Sequence, residues 1–83
     1  MKYIVTVDER TGKEELFMFP KSINHDFFAE AVSRIKYGTE QNWERFRRSP
    51  IAAGFTDGTK CTGRSETLNL DSRGPIDEAL ITV

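Results

Sequence analysis

Cysteine occurs once in this chain, at Cys61, and histidine once, at His25. A single thiol cannot form an internal disulfide, so no covalent staple holds the fold. One Cys and one His also fall short of the Cys/His set that a structural zinc site takes. Asp71, Asp77 and Glu78 are acidic neighbours without the spacing of a calcium loop. Glycines stand singly, and no phosphate-cradling loop is present. No apolar run approaches the ~18 residues of a membrane span. The apolar-leaning start, Met1 to Val7, is too short for a secretory h-region and runs into Asp8-Glu9. The expected compartment is therefore the reducing cytoplasm, and no cofactor or metal is expected.

Net charge of either sign is also in short supply. The 83 residues carry a formal −1, which is not the basic body of a general nucleic-acid binder. The balance is uneven along the chain. Residues 34–48 hold Arg34, Lys36, Arg45, Arg47 and Arg48 against Glu40 and Glu44, a net +3. Residues 57–83 hold three basic against five acidic side chains, a net −2.

What the chain does have is aromatic side chains and one long helical pattern. A chain of this length fits one domain, residues 1–83, and buries only about 60% of the surface its unfolded form exposes. Six Phe, two Tyr and one Trp must supply much of the small core. From Ser22 to Tyr37 the spacing of Phe27, Phe28, Ala31, Val32 and Ile35 predicts a helix with those residues as its buried face. Asn24 or Ser22 can cap its start, Asp26 suits the positive end of its dipole, and Gly38 follows its last turn.

The remaining stretches read as strands and turns. Residues 2–7 are β-formers, with Tyr3, Val5 and Val7 on one side and Ile4 and Thr6 on the other. Residues 8–13 form a polar connection, and Glu14 to Phe19 return as a second strand that Pro20 ends. Residues 39–48 read as a short helix carrying Trp43 and Phe46 on one face or as a β-excursion, closed by Pro50 either way. Ile51 to Thr56 read as a strand. Asp57-Gly58 then predicts a tight type I′ hairpin whose partner strand is Thr59 to Arg64, with Cys61 pointing inward. Gly54 and Gly63 mark bulges or close backbone approach. Leu68 and Leu70 could extend that strand, and Asp71 to Pro75 form a turn. The tail reads as one helical turn started by Pro75, with a terminal strand at Ala79–Val83 as the alternative. The expected fold class is α+β: an N-terminal β-hairpin, one main α-helix packed on a small, mostly antiparallel sheet, and a C-terminal β-hairpin.

Ile51-Ala-Ala-Gly-Phe-Thr-Asp-Gly, then Gly63-Arg-Ser-Glu-Thr-Leu and Asp71-Ser-Arg, resemble a pattern in small uncharacterised proteins of bacteriophages and prophages of proteobacteria. Phe19-Pro20-Lys21-Ser22, His25-Asp26 and Ala29-Glu30 are similar to it as well, so the resemblance spans most of the chain. The sequence departs from it near Gly74-Pro75-Ile76, where it is longer. The resemblance implies a phage or mobile-element origin, and it carries no activity and no catalytic residues.

Nothing local supports a nucleophilic triad of His25 with Ser65 or Cys61. There is no Gly-x-Ser-x-Gly elbow, and a first-turn histidine sits where the helix dipole disfavours an imidazolium. Two clusters remain. Arg64, Ser65, Glu66 and Thr67 with Asp71, Ser72 and Arg73 are dense in donors and acceptors; they either recognise a partner or satisfy their own turns and ion pairs. Arg45, Arg47 and Arg48 beside Trp43 and Phe46 either grip a partner or form a solvated face, with the two aromatics as lids on the core. The expected function is that of a non-enzymatic accessory or interaction protein. It would bind a host or phage protein through Trp43, Arg45, Arg47, Arg48, Arg64, Ser65, Glu66 and Arg73. The alternative is a nucleic-acid-binding module using residues 43–48.

Overall fold

The computed structural model describes residues 1–37 and 48–81, with the side chains of residues 33–37 and 48 outside that description. The expectations for residues 39–47, for Gly38 as a cap and for the terminal Thr82-Val83 therefore lie outside the described residues. The fold is mixed α+β. Strands β1 (Lys2–Asp8), β2 (Glu14–Phe19), β3 (Arg48–Thr56) and β4 (Cys61–Thr62) form a four-stranded antiparallel sheet in the order β2-β1-β3-β4. Helix α1 (His25–Tyr37) follows β2. Strands β5 (Arg64–Ser65) and β6 (Leu70–Asp71) form a separate two-stranded ribbon, and α2 (Pro75–Glu78) closes the described chain.

The sheet is buried on both faces, which is why β1 reads as a nearly continuous run of β-formers. Tyr3, Val5, Ala52 and Cys61 form one cluster, roofed by Leu80 and Ile81 after α2. Ile4, Phe19, Ala29 and Ala53 form the other, with Phe28 of α1 and with Leu68 and Leu70 of the ribbon. The register explains the partition: Val5 faces Leu16 and Ala52, while Ile4 faces Phe17 and Ala53. Cys61, 3% exposed, is the small inward residue its strand position predicts.

Three expectations are corrected. First, the buried face of α1 is rotated. Phe27 is 71% exposed and Ala31 is also exposed, whereas His25, Ala29 and Val32 are buried and Phe28 half-buried. The buried stripe is thus i, i+3, i+4, i+7 from His25. His25 fixes this phase: its Nε2–H donates to the Gly54 carbonyl at 3.0 Å, and its ring meets Phe19 and Phe55 edge-on.

Second, Pro50 lies inside β3 instead of ending the stretch before it. A bulge skips Ile51, so that Val5 faces Ala52 and Thr6 faces Pro50. Because β4 pairs only with Phe55 and Thr56, Pro50 needs no donor on its far side.

Third, Asp57-Gly58 is not a two-residue type I′ turn. The pairing of Thr56 with Cys61 leaves a four-residue loop, and only Gly58 in it takes a positive φ, +101°. The Asp57 carboxylate organises that loop by accepting from the Thr59 and Lys60 amides and the Thr59 hydroxyl at 2.8–2.9 Å. The partner strand is correspondingly short: Gly63, at φ +79°, diverts the chain into the ribbon after Thr62.

Two expected results follow from this geometry. The Asp57 carboxyl is held down to about 2, chiefly by the Lys60 and Thr59 amides. A depressed carboxyl stabilises the fold above its ordinary value near 3.8 and stops doing so as pH falls towards 2. Asp57→Ala should therefore lower the melting temperature at pH 7, with the gap to the parent narrowing between about pH 4 and 2; a gap independent of pH counts against the carboxylate's role. At Gly54 the constraint is space. A Cβ there would collide with the Thr62 carbonyl oxygen, which is backbone and cannot swing aside, and would press on Ser72 Cβ at 3.3 Å. Gly54→Ala should cost about 1–3 kcal/mol in urea unfolding, as overpacking does.

Candidate functional site

A buried polar group joins the sheet to the C-terminal turn. Pro75 at the first helical position and Gly74 before it, at φ +59°, set α2 so that Asp77 projects back into the fold. Asp77 is fully buried. Its Oδ2 accepts from the Tyr3 hydroxyl at 2.5 Å and the Arg73 amide at 2.8 Å, and its Oδ1 accepts from Arg73 Nε at 2.6 Å. Arg73 reaches on to Glu14 on β2 at 3.0 Å. Ser72 Oγ lies 2.7 Å from the Tyr3 oxygen and accepts from the Gly74 amide. Glu78 accepts from the Cys61 amide at 3.0 Å.

The electrostatics suit a structural clasp. Burial first, and then the Asp77 carboxylate, push the Tyr3 phenol well above its ordinary range, so it stays a donor. Burial works to lower Arg73, but its hydrogen bonds to Glu14 and Asp77 outweigh that and keep the guanidinium charged. Burial likewise pushes the Cys61 thiol up, against hydrogen bonds with Thr56 and Tyr3, which disfavours the reactive thiolate.

Among the described residues, those expected to bind a partner do not form one exposed surface. Trp43, Arg45 and Arg47 lie outside the described residues. Arg48 opens β3 opposite Asp8. Ser65 is 1% exposed and turns inward, accepting from the Leu68 amide at 3.2 Å to shape the 66–69 turn. Arg73 is committed to Asp77 and Glu14. Of the four residues expected to bind from the 64–73 cluster, only Arg64 and Glu66 present exposed side chains, at 43% and 86%, and Arg64 also pairs with the exposed Asp71 at 3.6 Å. Such exposed pairs are worth little.

A different surface is concave. Beside the 57–60 loop a cleft of about 440 Å³ is lined by Met1, Lys21, Phe55, Asp57, Lys60 and Thr62. Phe55 is 38% and Met1 50% exposed. Its two lysines come from either end of the chain's middle, which is why sequence reading passed over them. The visible signal was Phe55 alone, an aromatic beside a turn. Among the described residues no three His, Cys, Asp or Glu side chains converge to hold a metal, and no helix is long and apolar enough to cross a membrane. No family model, curated protein or solved structure matches this chain.

Proposed function

We propose that the chain is a small non-enzymatic accessory protein, cytoplasmic and of phage or prophage origin, that works by binding another protein. In this reading the N-terminal hairpin, α1 and the C-terminal hairpin are a scaffold for the cleft. The observation that carries it is the cleft's composition: an exposed phenylalanine and methionine flanked by Lys21 and Lys60. An apolar floor between cations suits a partner segment with an apolar anchor and acidic neighbours, because apolar burial supplies affinity and charge supplies orientation. The groups best suited to chemistry support the same reading. Ser65, His25, Cys61, Tyr3 and Asp77 are all buried, and each serves an internal hydrogen bond or core contact.

The test is capture of a protein partner from a bacterial host lysate by the parent and by a Lys21→Glu/Lys60→Glu variant. Both lysines are exposed, so the exchange should leave stability within about 0.5 kcal/mol. The parent is expected to retain a partner that the variant loses. Titration with duplex and single-stranded DNA at two salt concentrations forms the second arm. Micromolar DNA binding that falls steeply with salt would replace this reading with a nucleic-acid module built on Trp43, Arg45, Arg47 and Arg48.

A further inference from the structure

Building on the cleft proposed above as the binding surface, we infer that its occupant is an acidic linear segment of a protein, with one aromatic side chain on Phe55 between carboxylates held by Lys21 and Lys60. Both lysines stand on fixed turns. Lys21 follows Pro20 in a turn that the Ile23 amide closes on the Pro20 carbonyl at 3.1 Å, and Lys2 Nζ donates to the Ile23 carbonyl at 3.0 Å. Lys60 ends the 57–60 loop, where its amide donates to Asp57 Oδ1 at 2.9 Å. Both lysines are exposed, and among the described residues neither ammonium has an ion-pair or hydrogen-bond partner. Two uncommitted cations beside an apolar floor are complementary to a ligand that is both anionic and apolar.

The apolar floor is preset. Phe55 is 38% exposed, and its ring is held from the protein side. The His25 ring meets it edge-on with centroids 5.9 Å apart, and His25 is itself tied to the Gly54 carbonyl. Gly63 leaves the ring its room: a Cβ there would lie 3.0 Å from Phe55 Cδ2. A ring already held loses little side-chain entropy on binding, so it suits a second ring packed offset or edge-on against it. The neighbouring Met1 adds a polarizable thioether, which also favours aromatic contacts.

Size and charge together select the occupant. At about 440 Å³ the cleft lies in the lower half of the range for ligand clefts, roughly 300–1,000 Å³. It takes a few side chains of one segment, not the face of a folded domain. Asp57 selects against polyanions. Its carboxylate lines the same cleft, and with three donors on Oδ1 it stays ionised at neutral pH. A nucleic-acid strand carries a charge at every step and must bring a phosphate past Asp57. A peptide can set carboxylates on the two lysines and an uncharged residue beside Asp57.

The test is titration of the purified chain with the peptide Glu-Glu-Phe-Glu-Glu, blocked at both ends, followed by amide NMR shifts. Saturable binding below millimolar concentration is expected, with the shifts centred on Lys21, Phe55, Lys60 and Thr62. Glu-Glu-Ser-Glu-Glu should bind about tenfold more weakly for want of the ring, and Lys-Lys-Phe-Lys-Lys should not bind. Lys21→Gln/Lys60→Gln should weaken the acidic peptide on the order of tenfold while unfolding in urea like the parent. Asp57→Asn keeps an Oδ1 acceptor for the loop but not the charge, and it should admit a short oligothymidylate severalfold more tightly, a larger gain than the peptide's. No peptide binding up to millimolar concentration, shifts centred away from the cleft, equal affinity for the serine peptide, or an oligothymidylate that matches the peptide on the parent overturns the inference. Failure of the wider reading looks different. A lysate protein captured through Lys21 and Lys60 without peptide binding overturns only the occupant named here. Peptide binding without a captured protein supports the occupant and counts against the accessory-protein reading alone.

Discussion

Asp77→Ala should destabilise the protein by about 3–5 kcal/mol, as breaking a buried, hydrogen-bonded ion pair does from one side. The carboxylate is fully buried and accepts three bonds, from the Tyr3 hydroxyl, the Arg73 amide and Arg73 Nε. Its loss leaves the buried Tyr3 hydroxyl with Ser72 alone and Arg73 with Glu14 alone. At about 0.05–0.15 kcal/mol per residue, a domain of this length holds roughly 4–12 kcal/mol in total, so the variant should sit near the threshold of unfolding. Tyr3→Phe removes one bond to the same carboxylate and should cost less, about 1.5–3 kcal/mol. A local readout separates loss of the clasp from general loosening. α2 has four residues, too few to be helical alone. It is held by Asp77 and by Leu80 and Ile81 on the cluster that contains Cys61. Releasing it should speed labelling of the Cys61 thiol before global unfolding. Urea unfolding of Asp77→Ala within 1 kcal/mol of the parent, or thiol labelling at the parent's rate, would show that the clasp does not hold the C-terminal turn.

That clasp also shows where sequence reading stops. Tyr3 and Asp77 are 74 positions apart. Local pattern places Asp77 in the first turn of a short helix started by Pro75, which is where it is, and names no partner for its charge. Only the folded sheet reveals it as an acceptor for a tyrosine on β1. Arg73 fails in the same way: a basic residue in a polar loop looks available, yet Asp77 and Glu14 occupy it. Ser65 looks like a solvent-facing donor because its neighbours are polar, but the Asn69 turn, at φ +54°, folds it inward.

What was legible depends on short-range physics. β-formers in period two gave the first two strands, and apolar residues in period 3.6 gave a helix. The rotation of that helix was not legible, because pattern weighs a side chain by its size. Phe27 counts heavily and Ala29 hardly at all, yet a helix lying close on a sheet favours small Ala29 at the contact. Strand β3 was cut short in the reading because proline is a local stop signal. Whether a strand tolerates proline depends on what lies beyond it, and β4 does not extend that far. The cleft's lysines were invisible for the same reason as the clasp: Lys21 and Lys60 meet only through the tertiary fold.

Truncating Phe19 should be the most damaging change among the aromatics near α1, at about 3–5 kcal/mol. The ring is 2% exposed at the end of β2. It stacks on Phe28 with centroids 4.2 Å apart and planes 7° from parallel, and it receives the His25 ring edge-on at 5.4 Å. Phe19→Ala removes its burial, breaks two ring contacts and opens a cavity under the first turn of α1, where His25 anchors the helix to Gly54. Phe28→Ala takes away one side of the same stack, but from a half-buried position, and should cost less. Phe27→Ala removes a ring that is 71% exposed and should stay within about 0.5 kcal/mol of the parent. The rank order Phe19, Phe28, Phe27 in urea unfolding is a direct measure of the helix's rotation about its axis. If Phe27→Ala instead matches Phe28→Ala, the helix docks on the face that Phe27 shares with Ala31, and the His25–Gly54 contact is not what orients it.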